Sequence, residues 1–366
     1  MSRKELLVLH CEKDSIVTAQ LEPFVYSKRY LERHYGTGIA FQKAETLEDS
    51  IAFCLTTHAK YVFLVPFWDE KPETAEHCIR EIRVQRPDLV IAFVGPWAQA
   101  NSSYFSLLPV VDLFLKRQCY RRRDDYFTKY AGGNVFTDYL EKERGYDLDG
   151  WYMGSPVPPG HGARILPGWN LGTANYFRES CVSRELKPSP KTIDIFCRVS
   201  LGAEDREEWY RRYRTEALEA IGSLQGEFDC AVSGGFTGAG LVPMEQYYTE
   251  LRESRIVVSP FGWGETCRRD FEAVCHGCLL VKPDMSHIET LPDIFQAGVT
   301  YAPCQWNFSD LTEIAHHYLR NESARRKVVA NAYQRLRSYF TEHHFPRHIA
   351  NLLGLIPIQL RTDHVF

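Results

Sequence analysis

Short apolar runs recur along the first half of the chain, each followed by a polar or helix-like stretch. Residues 6–10, 60–67 (KYVFLVPF), 89–94 (LVIAFV) and 110–115 (VVDLFL) are apolar at nearly consecutive positions, not at alternate ones. That pattern predicts strands covered on both faces, as in a parallel sheet. Between them, residues 72–86 set Ala75, Cys78, Ile79 and Ile82 on one stripe at helical spacing. Strands alternating with helices predict an α/β unit.

From residue 150 the texture changes. Residues 150–172 are dense in glycine and proline, and 187–190 read Lys-Pro-Ser-Pro, which opposes regular elements. The rhythm then restarts. Strands are predicted at 192–199 (TIDIFCRV), 228–232, 255–260 and 279–282, and helices at 204–221, 244–251, 265–276 and 310–340. The expected fold class is therefore α/β, with two Rossmann-like domains facing a cleft. The expected units are 1–150, a connector at 151–190 with the boundary inside 175–192, 191–340, and a tail at 341–366 whose helix returns to the first unit.

Composition narrows the function. A chain of 366 residues with 44% hydrophobic positions has material for two cores. Its formal net charge of −4 speaks against a nucleic-acid partner. The basic run Arg121-Arg122-Arg123 is followed at once by Asp124 and Asp125 and reads as a solvated surface. No run of eighteen apolar residues predicts a transmembrane segment, although peripheral membrane contact stays open. The first residues read as a strand and not as a signal peptide. The cysteines are 11 in number, odd and scattered, as expected of free thiols in a cytoplasmic protein.

The chemistry concentrates in residues 255–283, RIVVSPFGWGETCRRDFEAVCHGCLLVKP. The stretch reads strand, glycine turn, helix, strand. Gly262 and Gly264, flanking Trp263, let backbone approach a ligand. A helix starting after Gly264 would point free N–H groups at a phosphate. Cys267, Phe271, Val274 and Cys275 share one apolar face. Glu265, Arg268 and Glu272 share a polar one, with Arg269 a turn after Glu265. Arg268, Arg269 and Lys282 suit a diphosphate, and Glu272 suits a ribose diol. The same spacing also describes a solvated salt-bridge stripe.

The string G-W-G-E-x-x-x-R-D-F-E-A-x-x-x-G-x-L-L-V-K-P resembles the donor-binding segment of GT-B glycosyltransferases of the exostosin-like and group 1 families, and Asp284-Met285-Ser286-His287 with Pro292-Asp293 extend the likeness. It covers about residues 190–340. The resemblance implies a transferase without a cofactor, and because the cations near Gly264 can neutralise a diphosphate themselves, no essential metal ion is expected. Its donor would be a nucleotide-sugar and its acceptor a glycan or glycoconjugate, in surface polysaccharide or glycoconjugate synthesis. It also implies a cation near the donor phosphates at Arg198, the end of the second unit's first strand. Glu265 and Glu272 have six residues between them where many retaining members have seven, which leaves the stereochemistry open. A non-catalytic nucleotide-sugar or glycan-binding protein and a nucleotide-sugar epimerase are alternatives on the same fold.

A catalytic base would follow strands of the first unit. The candidates are His10, Glu12, Asp14, Asp69 and Glu70. Asp147-x-Asp149 satisfies a metal-binding D-x-D pattern but lies beyond Gly145-Tyr146 and away from an apolar strand end, so a surface turn is expected. Cys275-His276-Gly277-Cys278 has no partner half-site, so no metal is expected.

Overall fold

The structure is a computed structural model that describes residues 4–182, 186, 190–204, 208–236 and 240–355. The first half runs β1 (Lys4–His10), α1 (Ser15–Tyr35), β2 (Thr37–Lys43), α2 (Leu47–Thr56), β3 (Tyr61–Val65), α3 (Pro72–Gln85), β4 (Val90–Val94), β5 (Leu113–Lys116), β6 (Gln118–Tyr120), α4 (Val135–Arg144), β7 (Ile165–Pro167) and α5 (Asn175–Val182). The second half runs β8 (Ile193–Ser200), α6 (Trp209–Gly222), β9 (Cys230–Gly235), α7 (Met244–Glu253), β10 (Ser254–Val258), α8 (Arg268–Cys275), β11 (Leu279–Pro283), β12 (Ile288–Thr290), β13 (Ala302–Cys304), α9 (Leu311–Arg320), α10 (Glu322–Thr341) and α11 (His344–Leu352).

Six strands form a sheet in the order β2-β1-β3-β4-β5-β7, and five form another in the order β13-β11-β10-β8-β9. All pairings within both are parallel. β3 and β11 are buried at every position, because helices cover both faces. In each sheet the first strand in the chain lies between the second and the third. The strand order therefore reverses beside β1 and beside β8. Ligands of open α/β sheets bind at the carboxyl ends of the strands at such a reversal.

The halves are tied by side chains and by backbone. β6 pairs antiparallel with β12, Gln118 opposite Thr290 and Tyr120 opposite Ile288. Asn170 donates to Thr290 Oγ1 at 2.8 Å and to Pro292 O at 3.0 Å. Phe136 of α4 sits in an aromatic cluster with Tyr213, Phe261 and Trp306, at centroid distances of 4.8, 4.9 and 5.5 Å. The last helix among the described residues, α11, lies on α1. Phe345 meets Phe24 and Trp169 edge-on at 5.1 and 5.3 Å. Among the described residues no helix is long and apolar enough to cross a membrane.

Candidate functional site

The glycine turn leaves β10 at its carboxyl end. The two glycines serve different neighbours. A Cβ on Gly262 would collide with Nη2 of Arg214, so hydrogen at this position admits a guanidinium to the turn. A Cβ on Gly264 would lie 2.7 Å from Ala98 Cβ and 2.8 Å from Ala98 O, so this position receives the loop after β4. Gly264 therefore joins the halves and does not start a helix. α8 begins only at Arg268, because Cys267 and Asp270 form its N-terminal box, with Cys267 N donating to Asp270 Oδ2 at 2.8 Å.

Arg214 comes from α6. Its guanidinium donates to Phe261 O at 3.1 Å and to Ser200 O, the last carbonyl of β8. It thus bridges the carboxyl ends of β8 and β10, at the strand-order reversal. Burial first, and the charge of Arg269 second, lower its pKa to about 10. Two cations are therefore held close together in a dry place. Arg269 has its Nε and Nη1 buried with no hydrogen-bond partner among the described residues. Its neighbours Cys197 and Tyr247 are protonated at neutral pH, since burial pushes the thiol to about 11 and the phenol up. Such a pair, with donors unsatisfied, is arranged to accept an anion. Arg214 was not anticipated from the sequence. Its i, i+4 relation to Tyr210, over whose ring it lies at 5.2 Å, is the trace it leaves there.

The other cations are committed elsewhere. Lys282, expected to emerge at a strand end, is fully buried. Its Nζ lies 3.1 Å from Asp270 Oδ1 and 3.3 Å from Ser259 O. Arg198, expected near the phosphates, makes two bonds of 2.7 Å to Glu250. Arg268 is half-exposed, 3.4 Å from Glu272 and over the rings of Tyr176 and Phe177.

The carboxylates differ from the expected stripe as well. Glu265 lies outside α8 and is buried. It accepts from Gln118 of β6 and lies 3.6 Å from His287, which makes it part of the contact between halves. Glu272 is 3% exposed and accepts from the hydroxyls of Tyr247 at 2.9 Å and Tyr248 at 3.0 Å. Both its oxygens are engaged by protein, so it first of all fastens α8 to α7. Glu272→Ala is therefore expected to orphan two phenols and cost about 1–3 kcal/mol of stability in urea unfolding.

In the first half, Asp14 caps α1, accepting from Ile16 N and Val17 N at 2.9 Å. Glu12 accepts from Thr18 Oγ1 at 2.7 Å. Asp69 is half-exposed, 3.8 Å from Lys13, and Glu70 reaches Leu47 N at 3.4 Å. His10 ends β1, again at the strand-order reversal. It is 8% exposed, its Nδ1 has no hydrogen-bond partner, and burial lowers its pKa. Asp147 Oδ1 accepts from Asp149 N at 2.8 Å, a local turn.

Known proteins share this architecture. An alpha-glucosyltransferase solved in complex with UDP superposes with a TM-score of 0.51 over 95% of this chain and 99% of that one, at 9% identity. The chain has the GT-B fold. An alpha-glucosyltransferase solved with UDP and a 13-mer DNA containing a HMU base gives a TM-score of 0.50 over 96% and 100%, also at 9% identity. Residues 210–353 match a family model described as glycosyl transferase-like. The matched region opens with α6, which carries Arg214, and includes the glycine turn and α8. No curated protein matches the chain.

The division of labour between the glycines is testable. In Gly262→Ala the obstacle is the far end of a flexible arginine, which can swing aside. Stability should stay within about 1 kcal/mol, while the displaced Arg214 should weaken nucleoside diphosphate binding. Titration calorimetry and urea unfolding of the same variant read both effects.

Proposed function

We propose that this protein is a glycosyltransferase that binds the diphosphate of a nucleotide-sugar between Arg214 and Arg269 at the Gly262 turn. The observation that carries the reading is this arginine pair at the carboxyl ends of β8 and β10, with Arg269 Nε and Nη1 unsatisfied. The glycosyl transferase-like match over the same elements supports it. In the reaction the bond between the sugar's anomeric carbon and the phosphate oxygen breaks, and the diphosphate leaves with the electron pair. An acceptor hydroxyl oxygen bonds to that carbon and gives up its proton. The arginines neutralise the charge that grows on the leaving group, so no metal ion is needed and chelator should leave the rate unchanged. Surface polysaccharide or glycoconjugate synthesis is the setting this reading favours.

Of the candidate bases, His10 alone combines a strand-end position at a reversal with a buried ring nitrogen that makes no hydrogen bond, Glu12 Oε2 lying 3.9 Å from it. Asp14 and Glu12 are held by local bonds, and Asp69 faces water beside Lys13. We assign the acceptor proton to His10. Because burial lowers its pKa below the ordinary value of about 6.5, the imidazole is neutral and ready at pH 7. The transfer rate should be flat near neutrality and fall only as pH drops through this lowered pKa. His10→Ala should remove that acidic limb, and an unchanged limb would assign the proton elsewhere.

The decisive experiment is a thermal-shift and hydrolysis panel of UDP-, GDP-, CMP- and dTDP-sugars. Binding to the native state alone must raise its melting temperature. Release of free sugar from the same donor separates a transferase from a binding protein without turnover. No shift with any donor would refute the reading.

A further inference from the structure

Beside the arginine pair lies a cavity of about 290 Å³ that the donor chemistry does not use. Its walls come from both halves. Tyr146, Asp147, Asp149 and Trp151 come from the segment after α4, while Glu208, Trp209 and Arg212 come from the start of α6, and Trp263 from the glycine turn. The indoles touch one another. Trp151 lies 5.5 Å from Trp209 and 5.6 Å from Trp263 between ring centroids. Trp263 is 38% exposed, and a tryptophan left open in such a place calls for a flat apolar face to cover it. The Trp209 indole N–H, in a side chain more than nine-tenths buried, has no hydrogen-bond partner among the described residues.

The polar rim is acidic. Asp147, Asp149 and Glu208 supply three carboxylates. Among the described lining residues the one cation, Arg212, is already used. It lies 3.9 Å over the Tyr146 ring, 3.3 Å from Glu216 and 3.4 Å from Gly145 O. Tyr210 connects the cavity to the diphosphate site, its ring lying 5.4 Å from that of the lining Trp263 and 5.2 Å from the Arg214 guanidinium. A ligand stacked on Trp263 in this cavity is therefore separated from Arg214 by the Tyr210 ring.

We infer that this cavity is the acceptor subsite, and that it takes a neutral or amino saccharide. The inference rests on the donor reading above for the word acceptor. A sugar ring offers C–H faces to stack on indoles and hydroxyls to donate to carboxylates. An ammonium on the sugar would gain from the rim, whereas a uronate or a phosphodiester would be repelled by three carboxylates. The volume, at the small end of ligand cavities (roughly 300–1,000 Å³), suits a short saccharide.

Saturation-transfer NMR on the full chain, with and without UDP, tests this using methyl glycosides of glucose, galactose, mannose, glucosamine and glucuronic acid and a 13-mer DNA duplex. At least one neutral or amino glycoside should bind and the glucuronide should not. Trp151→Ala should weaken that glycoside at least tenfold while UDP affinity stays within twofold. Asp147→Asn with Asp149→Asn, an exposed pair whose change spares the core, should erase any preference for the amino sugar. The inference is overturned if no neutral or amino glycoside binds a protein that binds UDP. It is overturned equally if Trp151→Ala binds the glycosides as the parent does, or if the glucuronide or the DNA binds more tightly than the neutral sugars. Glycoside binding at this cavity without any UDP binding would uphold the saccharide site and defeat the donor reading alone.

Discussion

Replacing Arg269 by alanine is expected to weaken UDP binding while leaving the stability of the unliganded protein nearly unchanged. Its Nε and Nη1 are buried without partners, beside a second guanidinium whose pKa falls in response. An anion entering this place gains charge-assisted bonds worth about 1.5–3 kcal/mol each. Losing roughly 2–3.5 kcal/mol corresponds to about a thirtyfold to four-hundredfold rise in Kd. Uridine, which carries no phosphate, should bind the variant as it binds the parent. In the empty protein burial opposes the Arg269 charge while nearby groups including Asp270 favour it, so its removal should leave the free energy of unfolding within about 1 kcal/mol of the parent. Calorimetric titration and urea unfolding on one preparation read both. A residue that only supports the fold would do the opposite, with stability falling and UDP affinity holding.

Asp270 should show that opposite behaviour. It is fully buried, pairs with Lys282 at 3.1 Å, accepts from Ser259 Oγ at 2.7 Å and boxes the start of α8. Asp270→Ala leaves Lys282 charged in a closed interior, and breaking one side of a buried pair costs about 3–5 kcal/mol. The double variant Asp270→Ala with Lys282→Met should recover much of that loss, since no orphan charge remains. Urea midpoints of the two variants decide the matter. A single variant within about 1 kcal/mol of the parent would mean that Lys282 finds another partner or loses its proton at little cost. Lys282→Met should leave the UDP affinity of the folded protein intact, because its ammonium is enclosed.

The sequence made the parallel strands legible through their consecutive apolar positions. β3 and β4 lie within predicted runs, and β8, β10 and β11 each overrun theirs by one residue. β2, TGIAFQK, escaped because it is an edge strand, buried over its first three residues and open to solvent in part beyond them. α1 escaped because Pro23 interrupts its pattern, although the helix runs on past it. The β6–β12 ladder joins two three-residue strands about 170 positions apart, and nothing local signals such a pairing. The glycine turn was legible as a site, but the assignment of its charges was not. Lys282 and Arg198 stand at strand ends that resemble ligand positions, and each is neutralised by a carboxylate on a helix, Asp270 and Glu250, that spacing alone does not bring near. Arg214 was hidden among the arginines of α6. Its importance becomes visible only when the hydrogen of Gly262 is seen to be making room for it.

The placement of Phe345 sets an order on how the molecule can be made. Phe24 and Trp169 belong to the first sheet's cover, yet the ring that closes over them lies near the end of the chain, in α11. During synthesis the first half leaves the ribosome long before that ring exists. Its apolar seam stays open until the entire second half has been translated. The first unit is thus completed by a helix translated after the whole second sheet, and a nascent chain stalled before α11 would present that seam to chaperones.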